Sequence, residues 1–446
     1  KCPDGSKDEN VFDIRQGTAI SLLIKKRSND TPCKVFHSEF WGLREDKYDS
    51  LVENDFNSIA WKEIFPKSEF YFFITRDVTL EKIYGKFFKI TDIFPIYSVG
   101  IVTARDKLTI HWKEEEVYRR IKSFAKMEPE KARIFYNLGP DSKDWKIEWA
   151  QRDLIDSGLS KENIVPILYR PFDIRYTYYT GNSMGFHCRP RGEVMKNMIK
   201  DNIGLIFHKR EELQIPYSHF LITNYIIEHG CLSSKTTCYL TPFFSYSEGL
   251  YNDSKNHKPE TNIGPKTYVY ICQCLNNLKI TPEEIFYYIY AVLYSNIYRE
   301  RYSEFLRIDF PRIPFTSDYE LFIEMGRLGQ ELAGIHLLKS SQLNQTFSSF
   351  EVKGDKVVKQ VKYVESDKRV YINENQYFSN IDKDIWEYQV GGYQVMEKWL
   401  KDRKKRALSL EDIEHYIKIA RALQLTLQYQ EKIDDLYPVV EENLIS

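Results

Sequence analysis

Short β-rich runs and loops predominate as far as about residue 244, and after Thr281 helical spacing predominates. That change of period predicts a mixed α/β chain of the α+β kind. Residues 18–25 and 34–40, separated by Ser28-Asn-Asp-Thr-Pro32, predict a β-hairpin. Residues 69–75 predict a strand, and 98–112 predict two strands around Ala104-Arg-Asp106. Residues 163–244 alternate short strands with loops, with a helix candidate at 192–200. In 114–125 acids come first and bases later, the order a helix dipole favours. Thr281 stands as an N-cap before Pro282, Glu283 and Glu284, predicting a long helix to about residue 299. A second helix is expected over 319–338, a polar linker over 340–349 and a hairpin over 355–372. Ser409 precedes Leu410-Glu-Asp412, and Ile413, Ile417, Ala420, Leu423 and Leu427 then recur at spacings of three and four, which gives one apolar helix face.

With 446 residues the chain is long enough for two or three units, each with its own core. Its 63 Lys and Arg stand against 64 Asp and Glu, so no global field marks a polyanionic partner and any nucleic-acid footprint must be local. Seven scattered cysteines with no C-x-x-C pair read as reduced, cytoplasmic thiols rather than a disulfide or zinc framework. No apolar stretch reaches the ~20 residues of a membrane span, so no membrane contact is expected. The chain starts at Lys1 with no leader behind it, and is read as a piece of a longer polypeptide.

The sequence contains no G-x-x-x-x-G-K-[ST] phosphate loop, no G-x-G-x-x-G turn, no H-E-x-x-H and no G-x-S-x-G elbow. No catalytic residue is therefore assigned. The nine histidines lack ligand spacing, and no metal is expected. The positive signal is residues 169–210, where eight Lys and Arg face three acids: Arg170, Arg175, Arg189, Arg191, Lys196, Lys200, Lys209 and Arg210 against Asp173, Glu193 and Asp201. In Tyr169-Arg-Pro-Phe-Asp-Ile-Arg-Tyr-Thr-Tyr-Tyr179, guanidinium forks suited to phosphates or guanine edges are interleaved with rings suited to stacking. The same composition describes half-buried strand aromatics beside Arg paired with local carboxylates. The residues alone leave both readings open.

Ser98-Val-Gly-Ile-Val-Thr-Ala-Arg-Asp106, Tyr169-Arg-Pro-Phe-Asp-Ile-Arg175, Arg189-Pro-Arg-Gly-Glu-Val-Met195 and Gly391-Gly-Tyr-Gln-Val-Met-Glu-Lys-Trp-Leu-Lys-Asp-Arg403 together resemble the C-terminal region of Type ISP restriction-modification enzymes. Residues 202–210, Leu232-Ser-Ser-Lys-Thr236 and Asp412-Ile-Glu-His-Tyr416 extend the resemblance, in order, over roughly residues 10–440. It implies a parent chain that carries a nuclease, a helicase-like motor and an adenine methyltransferase upstream of a target-recognition region. Residues 1–60 would then end the methyltransferase, 61–340 would form the recognition domain, and 341–446 would form a C-terminal hairpin and helical subdomain.

Asn10-Val-Phe-Asp-Ile-Arg-Gln-Gly-Thr-Ala-Ile-Ser21 is similar to the late methyltransferase segment that supplies an aromatic to stack on the flipped adenine, which makes Phe12 the candidate, with a core Phe at a strand start as the plain alternative. The methyltransferase's Asn/Asp-Pro-Pro-Tyr/Phe motif and its S-adenosylmethionine strand end are missing, so the resemblance assigns that cofactor, and the ATP and magnesium of motor and nuclease, to the parent alone. Double-stranded DNA is the implied partner, along with the upstream domains of the same chain. Arg105, Arg170, Arg175, Arg189, Arg191, Lys196, Lys209 and Arg210 are the cationic contacts that this reading expects, with a backbone-turn role beside Asp106 as the equal alternative for Arg105. Tyr178 and Tyr179 would lean on sugars or thymine methyls, and Ser233, Ser234 and Lys235 would form a phosphate-holding loop. Gly391, Gly392 and Trp399 read as architectural. Two other classes compete: a module that docks another domain of its own parent with little DNA affinity, and a small-molecule enzyme with unrecognised motifs.

Overall fold

Helices begin where their caps place them. The computed structural model describes all residues except 1, 3–5, 13, 15–16, 26–32, 67–70, 72, 74–77, 213–214, 247–258, 278, 346, 352 and 446. The Glu284 N–H donates to Thr281 Oγ1 at 3.2 Å and the Thr281 N–H donates to the Glu284 carboxylate at 2.7 Å, so Pro282–Tyr294 starts on a closed capping box. Ser409 and Asp412 repeat the box at the head of Leu410–Glu442. Glu114–Lys126 carries three glutamates in its first turn and Lys126 in its last. The helix after Thr281 is shorter than expected. It stops at Tyr294 because Ser295 leaves the helical region and its Oγ accepts from the Tyr298 N–H at 3.1 Å, capping a new helix, Asn296–Arg301. Tyr319–His336 crosses Pro282–Tyr294 closely enough that a Cβ on Gly329 would stand 1.9 Å from the Tyr287 carbonyl oxygen.

The chain forms two units, residues 1–82 and 83–446. In the first, Val35–His37 pairs antiparallel with Lys62–Ile64, Val35 facing Ile64, and Lys47 on the helix Arg44–Glu53 bonds Asp8 at 2.6 Å. This corrects the hairpin expected between 18–25 and 34–40. A strand is held by its partner's ladder; Lys62–Ile64 takes the edge of Val35–His37, and residues 18–25 form no strand, with Ile20, Leu22, Leu23 and Ile24 exposed. Most of the strand expected at 69–75 lies outside the described residues.

Two four-stranded sheets organise the second unit. One has the order Ile226–Ile227, Ile164–Arg170, Asp173–Tyr178, Ile110–His111, parallel only at its first pair. The other has the order Ser98–Val99, Cys238–Pro242, Gly204–His208, Leu221–Thr223 and is antiparallel throughout. A parallel bridge between Ile101 and Glu228 links the segments feeding them. The two strands expected in 98–112 both form, but in different sheets, because Thr103 Oγ1 bonds the Asp106 carboxylate and a turn of helix, Asp106–Thr109, redirects the chain between them.

In the last hundred residues, Lys362–Val364 and Arg369–Tyr371 form the expected pair within a four-stranded sheet completed by Tyr377–Phe378 and Phe350–Glu351. One continuous core holds Ile167, Ile206 and Leu240 from the two larger sheets together with Val370, Trp399, Tyr416 and Leu423. A second core gathers Phe124, Trp145, Tyr178 and Phe186. Among the described residues no helix is long and apolar enough to cross a membrane.

Gly391 and Trp399 are architectural. Gly391 has φ +62°, and a Cβ there would lie 2.0 Å from the Leu232 carbonyl oxygen, while the Gly392 N–H donates to that same carbonyl at 2.7 Å. Replacing Gly391 with alanine is expected to destabilise the chain by more than about 1 kcal/mol, since both the left-handed backbone and the close approach resist a methyl group. The check is the urea midpoint of the variant; a midpoint equal to the parent's would show that this turn yields without cost.

Candidate nucleic-acid interface

Folding sorts the basic block of residues 169–210 into an inward set and an outward set. Arg170 and Arg175 belong inside. Arg175 lies between the rings of Trp112 and Tyr169, 3.9 Å from each centroid, and its Nη2 bonds the Asp173 carboxylate at 2.8 Å. Asp173, only 1% exposed, also accepts from Arg403 Nη2 at 3.0 Å, and Arg403 in turn lies over Trp399. Burial alone would raise the Asp173 carboxyl, but the Arg403 and Arg175 guanidiniums outweigh it and hold the group below its ordinary value. Arg170 pairs with the buried Glu228 at 2.6 Å and stacks on Tyr169. These charges meet carboxylates and rings of their own chain.

Tyr178 and Tyr179, expected to touch DNA, are core residues instead. The strand Asp173–Tyr178 turns Tyr178 into the second core, where its hydroxyl lies 2.8 Å from Ser157 Oγ, and Tyr179 donates to the Pro190 carbonyl at 2.8 Å. A phenol so buried satisfies its polar tip internally and has no face left for a sugar.

The outward set converges from distant parts of the sequence. Arg189 exchanges two backbone hydrogen bonds with Val102, which brings it beside the turn that carries Arg105. Arg105 lies over the Trp145 ring and donates to the Pro140 carbonyl at 3.0 Å, and Arg189, half exposed, pairs with Asp144 at 2.5 Å. The thiol of Cys188 is pushed up by burial and by Asp144, against the opposing pull of Arg189, Arg105 and Arg191. Arg191, held left-handed at φ +57°, also acts with Arg210 on Tyr239, whose phenol is raised by burial and by Tyr97.

Tyr239 belongs to an aromatic platform on the second sheet. Its ring stacks 6.2 Å from Phe207, is 6.2 Å from Tyr97 and meets Phe310 edge-on at 5.0 Å. Lys209 and Lys89 both lie over Phe310, at 5.1 and 5.6 Å. Tyr97, Tyr239, Phe310 and Lys89 carried no contiguous signal in the sequence, because each comes from a different segment and only the sheet assembles them.

Strand register sets the edge of this platform. His208 faces Cys238 across Gly204–His208 and Cys238–Pro242, so Lys209-Arg210 and the Ser233–Thr236 loop leave the sheet side by side. Thr236 Oγ1, 3.0 Å from His208 Nδ1, ties them. Ser233 is buried and holds the turn by accepting from the Lys235 N–H at 3.2 Å, whereas Ser234, Lys235 and Arg210 are exposed. Lys196 is half-buried in the turn Lys196–Met198. Phe12 lies in the first unit, 59% exposed, at a bend where its N–H donates to Asn10 Oδ1, and not in a strand.

The family model of the Type ISP C-terminal specificity domain matches residues 92–436. No curated protein matches the chain. Solved structures share the fold, three of them as follows. One is a nuclease-deletion mutant of the Type ISP restriction-modification enzyme LlaGI in complex with a DNA substrate mimic, at 20% identity and TM-score 0.61 over 90% of this chain and 33% of that one. A DrdV–DNA complex matches at 20% identity and TM-score 0.64, over 88% and 42%. The ATP-dependent Type ISP restriction-modification enzyme LlaBIII bound to DNA matches at 16% identity and TM-score 0.63, over 84% and 25%. The chain thus spans less than half the length of each of these proteins. A model match over most of the chain agrees with the resemblance carried by its separated motifs: the chain belongs to the Type ISP C-terminal specificity domain family.

Proposed function

We propose that this chain reads a target sequence in duplex DNA for a restriction-modification enzyme and directs adenine-N6 methylation, and restriction, carried out by methyltransferase, motor and nuclease domains outside it. The observation that carries the reading is that the fold brings the exposed Arg189 beside the turn of Arg105 and sets Lys209 and the exposed Arg210 beside the exposed Ser234–Lys235 loop. Guanidiniums there supply phosphate neutralisation and base-edge forks, and Ser234 and Lys235 position the backbone. Residues 61–340 and 341–446 are proposed as the recognition domain and its C-terminal subdomain, with residues 1–60 closing the methyltransferase. Phe12, with its ring exposed, is the proposed stacking partner of the flipped adenine. S-adenosylmethionine, ATP and magnesium belong, in this reading, to the upstream domains.

Anisotropy of a labelled random-duplex pool against rising salt, with sequencing of the bound fraction, tests this. A steep negative salt slope with an enriched short motif is expected. A slope without enrichment leaves a backbone clamp and removes the claim of sequence reading. One observation favours the competing docking role: Ile20, Leu22, Leu23 and Ile24 stand exposed close together in the sequence, an apolar stretch that a neighbouring domain could cover. That role predicts no binding at low salt.

A further inference from the structure

Three buried donors outside the basic edge meet where the sequence predicts no metal. His208 ends the strand Gly204–His208, Glu211 follows it by three residues, and His219 precedes the strand Leu221–Thr223. One donor atom from each lies within 4.8 Å of the other two, and all three side chains are shut off from solvent. His208 Nδ1 is 3.5 Å from Glu211 Oε2, and His219 Nε2 is 2.7 Å from the same oxygen. Thr236 Oγ1 completes the group, 3.0 Å from His208 Nδ1 and 2.9 Å from Glu211 Oε2.

Hydrogen bonding accounts for only part of this arrangement, since Thr236 ties His208 to Glu211 and leaves buried ring nitrogens over. His219 Nε2 meets the Glu211 carboxylate at 2.7 Å, but His219 Nδ1 and His208 Nε2, both buried, make no hydrogen bond. Buried polar atoms are rarely left so. Bonds of ~2.0–2.2 Å in a tetrahedral shell set donors roughly 3.3–3.5 Å apart, a spacing that His208 and Glu211 already have at 3.5 Å and that His219, at 2.7 Å from the carboxylate, reaches by a shift of less than ~1 Å.

We propose that His208, Glu211 and His219 bind a divalent first-row transition ion of the zinc class, with the Thr236 hydroxyl or a water in the fourth place. Two imidazoles and one carboxylate suit such an ion better than magnesium or calcium, which take oxygen shells. The absence of solvent access makes the site structural. Its ion would pin the segment carrying Lys209 and Arg210, which lie between two of its ligands, to the loop carrying Ser234 and Lys235. The proposal stands on this donor set and does not depend on DNA recognition.

The test is metal analysis by mass spectrometry of the purified chain, stripped with chelator and dialysed against micromolar zinc, with cobalt(II) as an optical probe. About one zinc per chain is expected, with tetrahedral cobalt absorption and a melting temperature that falls on chelation. The double variant His208→Ala/His219→Ala is expected to lose the ion. Glu211→Gln keeps the side chain's size and is expected to weaken zinc binding by at least ~10–100-fold while circular dichroism stays native. A natively folded stripped chain that takes up neither zinc nor cobalt would overturn the proposal, leaving a His–Glu–His knot without an ion. Unchanged uptake in folded Glu211→Gln would also overturn it, by placing the ion elsewhere.

Discussion

Asp173→Ala is expected to cost roughly 3–5 kcal/mol of stability, the loss that follows when one member of a buried ion network leaves its partners unpaired. The carboxylate serves two guanidiniums, Arg175 Nη2 at 2.8 Å and Arg403 Nη2 at 3.0 Å, each packed against Trp112. Removing it confines two positive charges beside that ring with Asp402 and Asp412 as the nearest compensation. Because the folded carboxyl is held below its ordinary value of 3.8, its contribution is complete above that pH. It is lost as pH falls through the lower folded value. Urea unfolding of parent and variant at pH 7 and pH 3 reads both effects. The gap between the two chains should narrow towards the acid end, and a variant that matches the parent at pH 7 would mean that the two arginines find other partners.

Substituting the outward cations acts on a different quantity. Arg189→Ala, Arg191→Gln and Arg210→Ala together are expected to flatten the salt dependence of DNA binding by about 3 in the slope of log affinity on log salt, and to weaken binding about 10²–10³-fold at 0.1 M salt. The melting temperature should change little, since Arg189 and Arg210 are solvent-facing and glutamine tolerates the place of Arg191 without adding bulk. Arg175→Ala supplies the contrast: it should lower the melting temperature and leave the salt slope intact, because that guanidinium is already neutralised by Asp173 and Asp402. A triple variant with the parent's slope would remove the DNA-facing edge from this part of the sheet.

Which arginines point outward was not legible in the sequence. Local composition gives Arg175 and Arg191 the same standing, and they differ only through partners such as Asp402 and Tyr239, which lie far along the chain. Helix starts were legible because Thr281 and Ser409 signal through residues three places away. Strand partners were not, since the run at 34–40 meets residues 62–64 rather than its neighbour, and 98–99 meets 239–240. The sequence singled out Arg105, Arg189, Arg191 and Lys209-Arg210 through local motifs, while the ring cluster of Tyr97, Tyr239 and the buried Phe310 beside them exists only once the sheet has closed.

The same long reach governs when that surface comes into being. Phe88–Lys89 pairs with Arg312–Ile313, Ser98–Val99 waits for the strand at Cys238–Pro242, and Asp173 finds Arg403 only 230 residues later. Contacts of such separation form slowly and late. On the ribosome, the hairpin Ile164–Arg170/Asp173–Tyr178 emerges with its acid and Arg175 in place but without the second guanidinium, and it stays incomplete until residue 403 has been made. Truncated products of this chain therefore lack the closed charge network around Asp173, and the timing of synthesis itself withholds that part of the core until the C-terminal helices are present.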